Sequence, residues 1–433
     1  MDFLPNILFA LALILGIGYF TKNVKKLTRN IGLGRDLDVS DNKSLRWKNM
    51  FWVALGQGKM VRRPVAGILH IIVYLGFIVI NIEVLEIILD GLFGSHRLFK
   101  VMGSFYGFLI GTFEILAVLV FASVIVFWIR RNVVRLKRFW SKEMTKWPKN
   151  DANNILYFEM VLMALFLTMN ATDAQFQHMD SGNLISQFLV SWFNGFSEST
   201  LEIIERAAWW LHILGILVFL NYLYFSKHLH ILLAFPNTYY AKLTPKGQFN
   251  NIESVTKEVR MMMDPNIDPF AAPAENAQIP EKFGASDVMD LSWVSLMNAY
   301  TCTECGRCTS ECPANQTGKK LSPRKIMMDT RDRLEQVGKN IDANKGKFQE
   351  DGKQLLDDYI SREELWACTS CNACVEACPV SIDPLSIIIE MRRYLVMEQS
   401  AAPSQLNVMM TNIENNGAPW PYNQMDRLNW KNE

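Results

Sequence analysis

Apolar residues are spread unevenly along this chain of 433 residues. Five long runs with few charges fall within residues 1–235: Leu4–Phe20, Val65–Leu89, Gly103–Trp128, Ile155–Met169 and Ala207–Phe225. A helix needs about 20 apolar residues to cross the hydrocarbon core of a bilayer. Three of the runs meet that length; the first is short and the fourth shorter still. The first has no basic segment ahead of it, and it continues into Thr21-Lys22-Asn23 rather than a small-residue cleavage site. It therefore reads as an uncleaved anchor. From residue 236 onward the pattern turns polar and helix-forming. The chain is thus expected to be mainly α: a five-helix transmembrane bundle over 1–235, an extended linker rich in Pro, Asn and Ala over 236–290, a helical domain over 291–399, and a tail over 400–433.

Charge orients the bundle. The 44 Lys and Arg nearly balance the 43 Asp and Glu, so nothing points to nucleic acid. Locally, however, the connections after the first and third runs are crowded with Lys and Arg, whereas the other two hold only Arg97, Lys100 and Arg206. By the positive-inside rule the N-terminus lies outside and the polar half is cytoplasmic, as in a bacterial inner membrane protein. Within the first basic connection, "SLRWKNMFWVALGQGKMVRRP" mixes Trp47, Met50, Phe51 and Trp52 with cations. It reads either as an amphipathic helix on the inner surface or as a packed cap over the bundle.

Three of the six histidines fall in one apolar stretch, "LHILGILVFLNYLYFSKHLH". On a continuous helix His212 and His230 lie five turns apart on one face, about 27 Å along the axis. His228 falls roughly 160° away from that line and is expected at the inner boundary, against water or headgroups. His70, just beyond Arg62-Arg63 on the second helix, sits at the depth of His230. Two imidazoles at one depth on facing helices can fill the axial positions of a b-type haem; the plainer reading is helix–helix hydrogen bonding. His212 keeps the orientation of a ligand. Glu83, Glu86 and Glu114 are the other costly groups inside the apolar runs, as proton relays or as satisfied partners.

All eight cysteines lie between 302 and 378, in "CTECGRCTSECP" and "CTSCNACVEACP". Both read C-x₂-C-x₂-C-x₃-C-P, in which three thiolates hold one cubane and the fourth reaches the other cluster. On that rule Cys302, Cys305, Cys308 and Cys378 hold one 4Fe–4S cluster, and Cys368, Cys371, Cys374 and Cys312 the second. Structural zinc would be satisfied by two C-x₂-C pairs and leaves the third gap and the terminal Cys-Pro unexplained.

These segments resemble known families. "RRPVAGILHIIVYLGF" and "WWLHILGILVFLNYLYFSKHLHILLAFP", with "QHMD" at 177–180, are similar to the cytochrome b (gamma) subunit of respiratory nitrate reductases and to the membrane subunits of heterodisulfide-reductase-like complexes. The resemblance implies haem between the second and fifth helices, with His70 and His230 matching the inner ligands. His212 matches one outer ligand, but Ile80 and Asn81 stand where its partner should be; His96, His178 and Met169 are the alternatives. The cysteine half, "CGRCTSECPANQTGKKLSPRKI" and "LWACTSCNACVEACPVSIDPLSII", resembles the α-helical ferredoxin domain of heterodisulfide reductase iron–sulfur subunits and of succinate dehydrogenase. The tail "ENNGAPWPYNQMDRLNW" is similar to the segment that precedes cysteine-rich CCG catalytic domains in related single chains.

Together these imply an oxidoreductase subunit. Electrons pass between a cytoplasmic partner, two 4Fe–4S clusters, one or two b haems and a quinone, menaquinone or ubiquinone. The expected partner is a CCG-type iron–sulfur protein or an electron-transfer flavoprotein, docking on the tail. The alternatives are reverse flow, with quinol oxidised to feed a cytoplasmic disulfide- or sulfur-compound reductase, and a membrane redox sensor without quinone turnover.

Overall fold

A computed structural model describes residues 3–179, 181–245, 247–265 and 282–432. The fold is mainly helical, and among the described residues extended pairing is limited to the isolated bridges Arg35–Ser292 and Leu356–Ile360. Five helices are long and apolar enough to cross a membrane: α1 (Leu4–Ile31), α2 (Pro64–Phe93), α3 (Ser104–Asn132), α4 (Trp147–Thr172) and α5 (Glu198–Tyr222). Local chemistry sets their ends. Pro5, Pro64 and Pro148 sit in first turns, where a missing N–H costs nothing. Gly94 closes α2 at φ 70°, and the Ser197 side chain accepts from the Thr200 N–H at the start of α5.

α1 and α4 run well past their apolar cores. The extra turns of α1 are not in lipid: Asn23, Leu27 and Asn30 are buried, and the Asn30 side chain donates to the Tyr300 hydroxyl at 2.9 Å in the cysteine half. Within the bundle, α2 packs along α3, α3 along α4, and α4 along α5. Phe9, Tyr106, Ile110, Phe113, Phe166 and Ile213 fill the space between them.

The fifth helix is not continuous. After Tyr222 the chain makes two 3₁₀ turns, Leu223–Phe225 and Lys227–Leu229, around an extended Ser226 (φ −116°, ψ 149°). A new helix, α6 (His230–Tyr239), then begins. Asp151 of α4 holds the break: its carboxylate accepts from the Tyr222 hydroxyl at 2.7 Å and from the Lys227 N–H at 3.1 Å. Helical phase carried from His212 to His230 is therefore void, because the two residues lie on different helices. The segment Lys43–Met50, continued by the wide turn Phe51–Leu55, packs on α6. Arg46 donates to the carbonyls of Tyr239 and Ala241, each at 3.2 Å, while Trp47 and Trp52 stay exposed. This segment thus caps α6 and presents aromatics outward.

In the cysteine half, α7 (Trp293–Thr301), α8 (Pro323–Ala343) and α9 (Pro384–Arg393) start on Ser292, Ser322 and Asp383 side-chain caps. Leu296, Ile326, Leu334, Ile387 and Met391 form its core, joined by Leu27 and Leu229 from the apolar half. This half seats on the bundle end that carries the Lys- and Arg-rich connections: Arg63 pairs with Glu311 at 2.8 Å, and the fully buried Arg324 with Glu143 at 2.7 Å. Of the expected extended linker, residues 246 and 266–281 lie outside the described residues, as does Asp180 of the "QHMD" segment. The described part of the linker includes a helix, Glu253–Met263. The expected tail is also partly helical, Ser404–Asn416, with its apolar side chains Val408 and Ile413 exposed.

Candidate metal centres

The two cysteine loops repeat one backbone conformation. The residues two and four places after the first cysteine are left-handed in both: Glu304 (φ 53°) and Gly306 (φ 71°), then Ser370 (φ 56°) and Asn372 (φ 59°). Such turns aim successive N–H groups inward, which suits an anionic group held by thiolates. Two sulfurs already accept backbone hydrogen bonds, Cys368 from Ser370 N–H at 3.4 Å and Cys378 from Ile382 N–H at 3.3 Å. All eight cysteines are free.

Cys302, Cys305 and Cys308 line a small cavity, and Cys378 from the second motif completes its wall. Cys374 also reaches this wall. After burial, Cys308 is raised by Cys305, Cys302, Cys378 and Cys374, whereas Cys374 is raised by Asp383 and then by Cys368 and Cys312. Burial above all pushes Cys302 and Cys374 up to about 12 and Cys378 up to about 11. Without a metal these thiols stay protonated near neutral pH, and a cluster held here would have to displace the protons.

His70 and His230 face each other across the bundle end nearest this cavity, ring centroids 6.4 Å apart and planes at 44°. His230 Nδ1 lies 3.2 Å from the Lys227 carbonyl, the contact that leaves Nε2 free. His70 Nδ1 is buried and has no hydrogen-bond partner. His228 is not at a wet boundary: its side chain is 14% exposed, its ring lies 5.3 Å from those of His230 and Phe219, and Glu159 stands 3.8 Å away. The 3₁₀ turn before α6, rather than helical phase, brings it there. His212 is remote from this group, buried against Phe166, with Nδ1 3.0 Å from the Leu162 carbonyl. Asn81 is exposed and bonds back to its own helix at Phe77 O.

The three acids separate cleanly. Glu114 accepts from Asn170 at 3.0 Å and from the N–H groups of Ile185 (2.7 Å) and Ser186 (3.0 Å). Glu86 accepts from Phe99 N–H at 2.7 Å and the Tyr106 hydroxyl at 3.1 Å. Both are saturated structural groups. Glu83 is 3% exposed, yet its Oε2 has no partner. It lines an open pocket of about 260 Å³ at the bundle end far from the cysteines, walled by Phe9, Trp209 and Trp210 and containing His96 and Arg97.

The residues that join the two centres carry no sequence motif. Glu304, inside the first cysteine loop, contacts the Lys227 ammonium and accepts from Arg331 at 2.8 Å. Burial opposes its ionisation, but Lys227 and Arg331 outweigh that and hold the carboxyl below its usual range. A carboxylate between two cluster cysteines is the one signal in the sequence that could have found it.

Residues 301–382 match the model of the 4Fe-4S dicluster domain, which together with the paired motifs supports 4Fe–4S clusters in this region. The similar proteins are iron–sulfur oxidoreductases and subunits of such complexes. The chain is 28% identical to the probable iron-sulfur-binding oxidoreductase FadF of Bacillus subtilis, over 99% of this chain and 61% of that protein. It is 25% identical to the EtfAB:quinone oxidoreductase of Syntrophomonas wolfei, over 92% of this chain and 55% of that one. A shorter stretch, 34% of this chain, is 31% identical to a probable membrane-anchored ferredoxin of Chromohalobacter salexigens and covers 24% of it. Similar stretches occur in heterodisulfide reductase subunits of Methanosarcina species. The chain spans about three fifths of the length of FadF and a little over half of the quinone oxidoreductase. No solved structure matches.

Proposed function

We propose that this chain is the membrane-bound electron-transfer part of an oxidoreductase that links a cytoplasmic redox partner to quinone. Residues 1–235 form its membrane domain, 236–290 a connector, 291–399 the two-cluster domain and 400–433 a docking tail. The observation that carries the reading is the spacing of His70 and His230 beside the four-thiol cavity. A metal–imidazole bond is about 2.0–2.1 Å, and the ring centre lies about 1.1 Å further on. Two imidazoles sharing one iron therefore stand roughly 6.3 Å apart, centre to centre. The 6.4 Å observed fits that span and is too wide for a direct hydrogen bond between the rings. A b-type haem held there would supply one-electron chemistry; the chain's part is to orient His230 through the Lys227 carbonyl and to wall the site with Phe219 and His228.

The reading takes one haem per chain, since Ile80 and Asn81, which bonds back to its own helix, hold the α2 position matching His212; a second haem on His212 would need its other ligand from outside α2. The basic connections packed under the cysteine half support a cytoplasmic location for it. Flow toward quinone, fed by an electron-transfer flavoprotein, is supported by the similarity to an EtfAB:quinone oxidoreductase; a CCG-type iron–sulfur protein is the other donor proposed. Flow in the other sense is a second reading, favoured by the far pocket: its aromatic walls and the unpaired Glu83 suit a quinol headgroup, one helical turn from His212. The test is spectroscopic. His70→Ala and His230→Ala should each abolish the low-spin b-type spectrum while His212→Ala keeps it; a full spectrum in both of the first two would overturn the haem assignment.

A further inference from the structure

The ion pairs between the two halves are not alike. Lys26–Asp342 and Arg63–Glu311 lie at the rim, each side chain exposed by about a third or more. Lys227 and Glu304 meet in the interior, at 8% and 2% exposure. A buried ion pair adds little stability over a well-packed apolar pair, so simple docking does not account for charge at this point. The position is informative. Lys227 offers its carbonyl to His230 Nδ1 at 3.2 Å and its ammonium to Glu304, two residues after Cys302. One residue thus touches the candidate haem ligand with its main chain and the first cysteine loop with its side chain. Pro148 O accepts from the same ammonium at 2.6 Å, and Asp151 lies 3.8 Å from it. Arg331 backs Glu304 at 2.8 Å.

We infer that Lys227 and Glu304 are positioning residues that couple the two cofactor sites: they fix the first cysteine loop against the histidine pair and set the charge between them. The inference rests on the proposed function, since it needs both cofactors. Lys227, Arg331 and the buried Arg131 face Glu304 and Asp151. Neutralising Lys227 removes a positive charge beside the cysteine cavity, which disfavours adding an electron there; neutralising Glu304 removes a negative charge and favours it.

The test uses the full chain, purified anaerobically in detergent, with iron and haem content and redox titrations followed by electron paramagnetic resonance and absorbance. Lys227→Met should lower the midpoint potential of the Cys302/Cys305/Cys308/Cys378 centre and Glu304→Gln should raise it. The double variant should return toward the wild type, and Lys227→Arg should match it. Shifts of the same sign, or no shift with full iron content, would overturn the inference. If Lys227→Met loses iron, Glu304→Gln must still raise the potential and Lys227→Arg must restore both iron and potential. Loss of iron from all three would reduce the pair to a structural latch and refute the coupling role. Wild-type protein lacking iron or haem would instead defeat the functional reading on which the inference stands.

Discussion

Removing Cys378 should damage the cluster of the other motif. Its sulfur completes the cavity lined by Cys302, Cys305 and Cys308, although those residues precede it by a long stretch of chain. The remaining wall offers no free substitute: Glu304 is tied to Lys227 and Arg331, and Cys374 can turn here only by leaving the second set. Two 4Fe–4S clusters carry about eight irons, so Cys378→Ala should fall to about four. The decisive samples are double variants. Cys302→Ala with Cys378→Ala removes two ligands of one cluster and should still retain about four irons. Cys368→Ala with Cys378→Ala takes one ligand from each and should retain almost none. Iron and acid-labile sulfide per chain, with the resonance spectrum of the reduced protein, report the outcome. The opposite pattern, in which the first pair empties the protein and the second keeps half its iron, would refute crossed ligation.

Two further outcomes follow from the packing. Arg97, 7% exposed, bonds Asp173 and Asn170, each at 2.8 Å, and covers the Phe176 ring. Arg97→Met takes the guanidinium from the buried Asp173 carboxylate, which keeps only His96 at 3.2 Å and the Phe176 N–H at 3.0 Å, and should cost about 1–3 kcal/mol, seen as a lowered Tm in detergent; an unchanged Tm would contradict the network. Gly284 is left-handed at φ 66°, and a Cβ there would fall on the Glu390 carbonyl and the Tyr394 amide. Gly284→Ala should therefore destabilise the cysteine half by about 2–3 kcal/mol and lower its iron occupancy, leaving the haem spectrum intact; loss of haem with full iron would contradict this.

The five spans could be read from run length because lipid imposes a minimum, and charge asymmetry kept the weak fourth run among them. What the runs could not show is where a helix continues through protein rather than lipid. Polar turns of α1 are buried by Tyr300 and Gly338 of the distant half, information absent from any local window. The break after Tyr222 was equally hidden: "NYLYFSKHLH" contains no Pro or Gly, and the break is held by Asp151, far upstream. That one tertiary contact voided the helical-phase argument and brought His228 into the histidine group. His70 and His230 nonetheless face each other, because depth along α2 and position after the fifth run do not depend on phase. The grouping of Cys378 with the first motif's cysteines follows from spacing alone. The Lys227–Glu304 contact does not, since a lysine at a helix end and a glutamate in a loop ordinarily face water.

Counting cofactors decides what the cysteines and histidines hold. Non-haem iron, acid-labile sulfide, zinc and haem should be measured together, per chain, on protein purified anaerobically from membranes. About eight non-haem irons and eight sulfides are expected, with one b-type haem and no stoichiometric zinc. Two zinc ions in place of iron, or full clusters with no haem, would contradict that expectation.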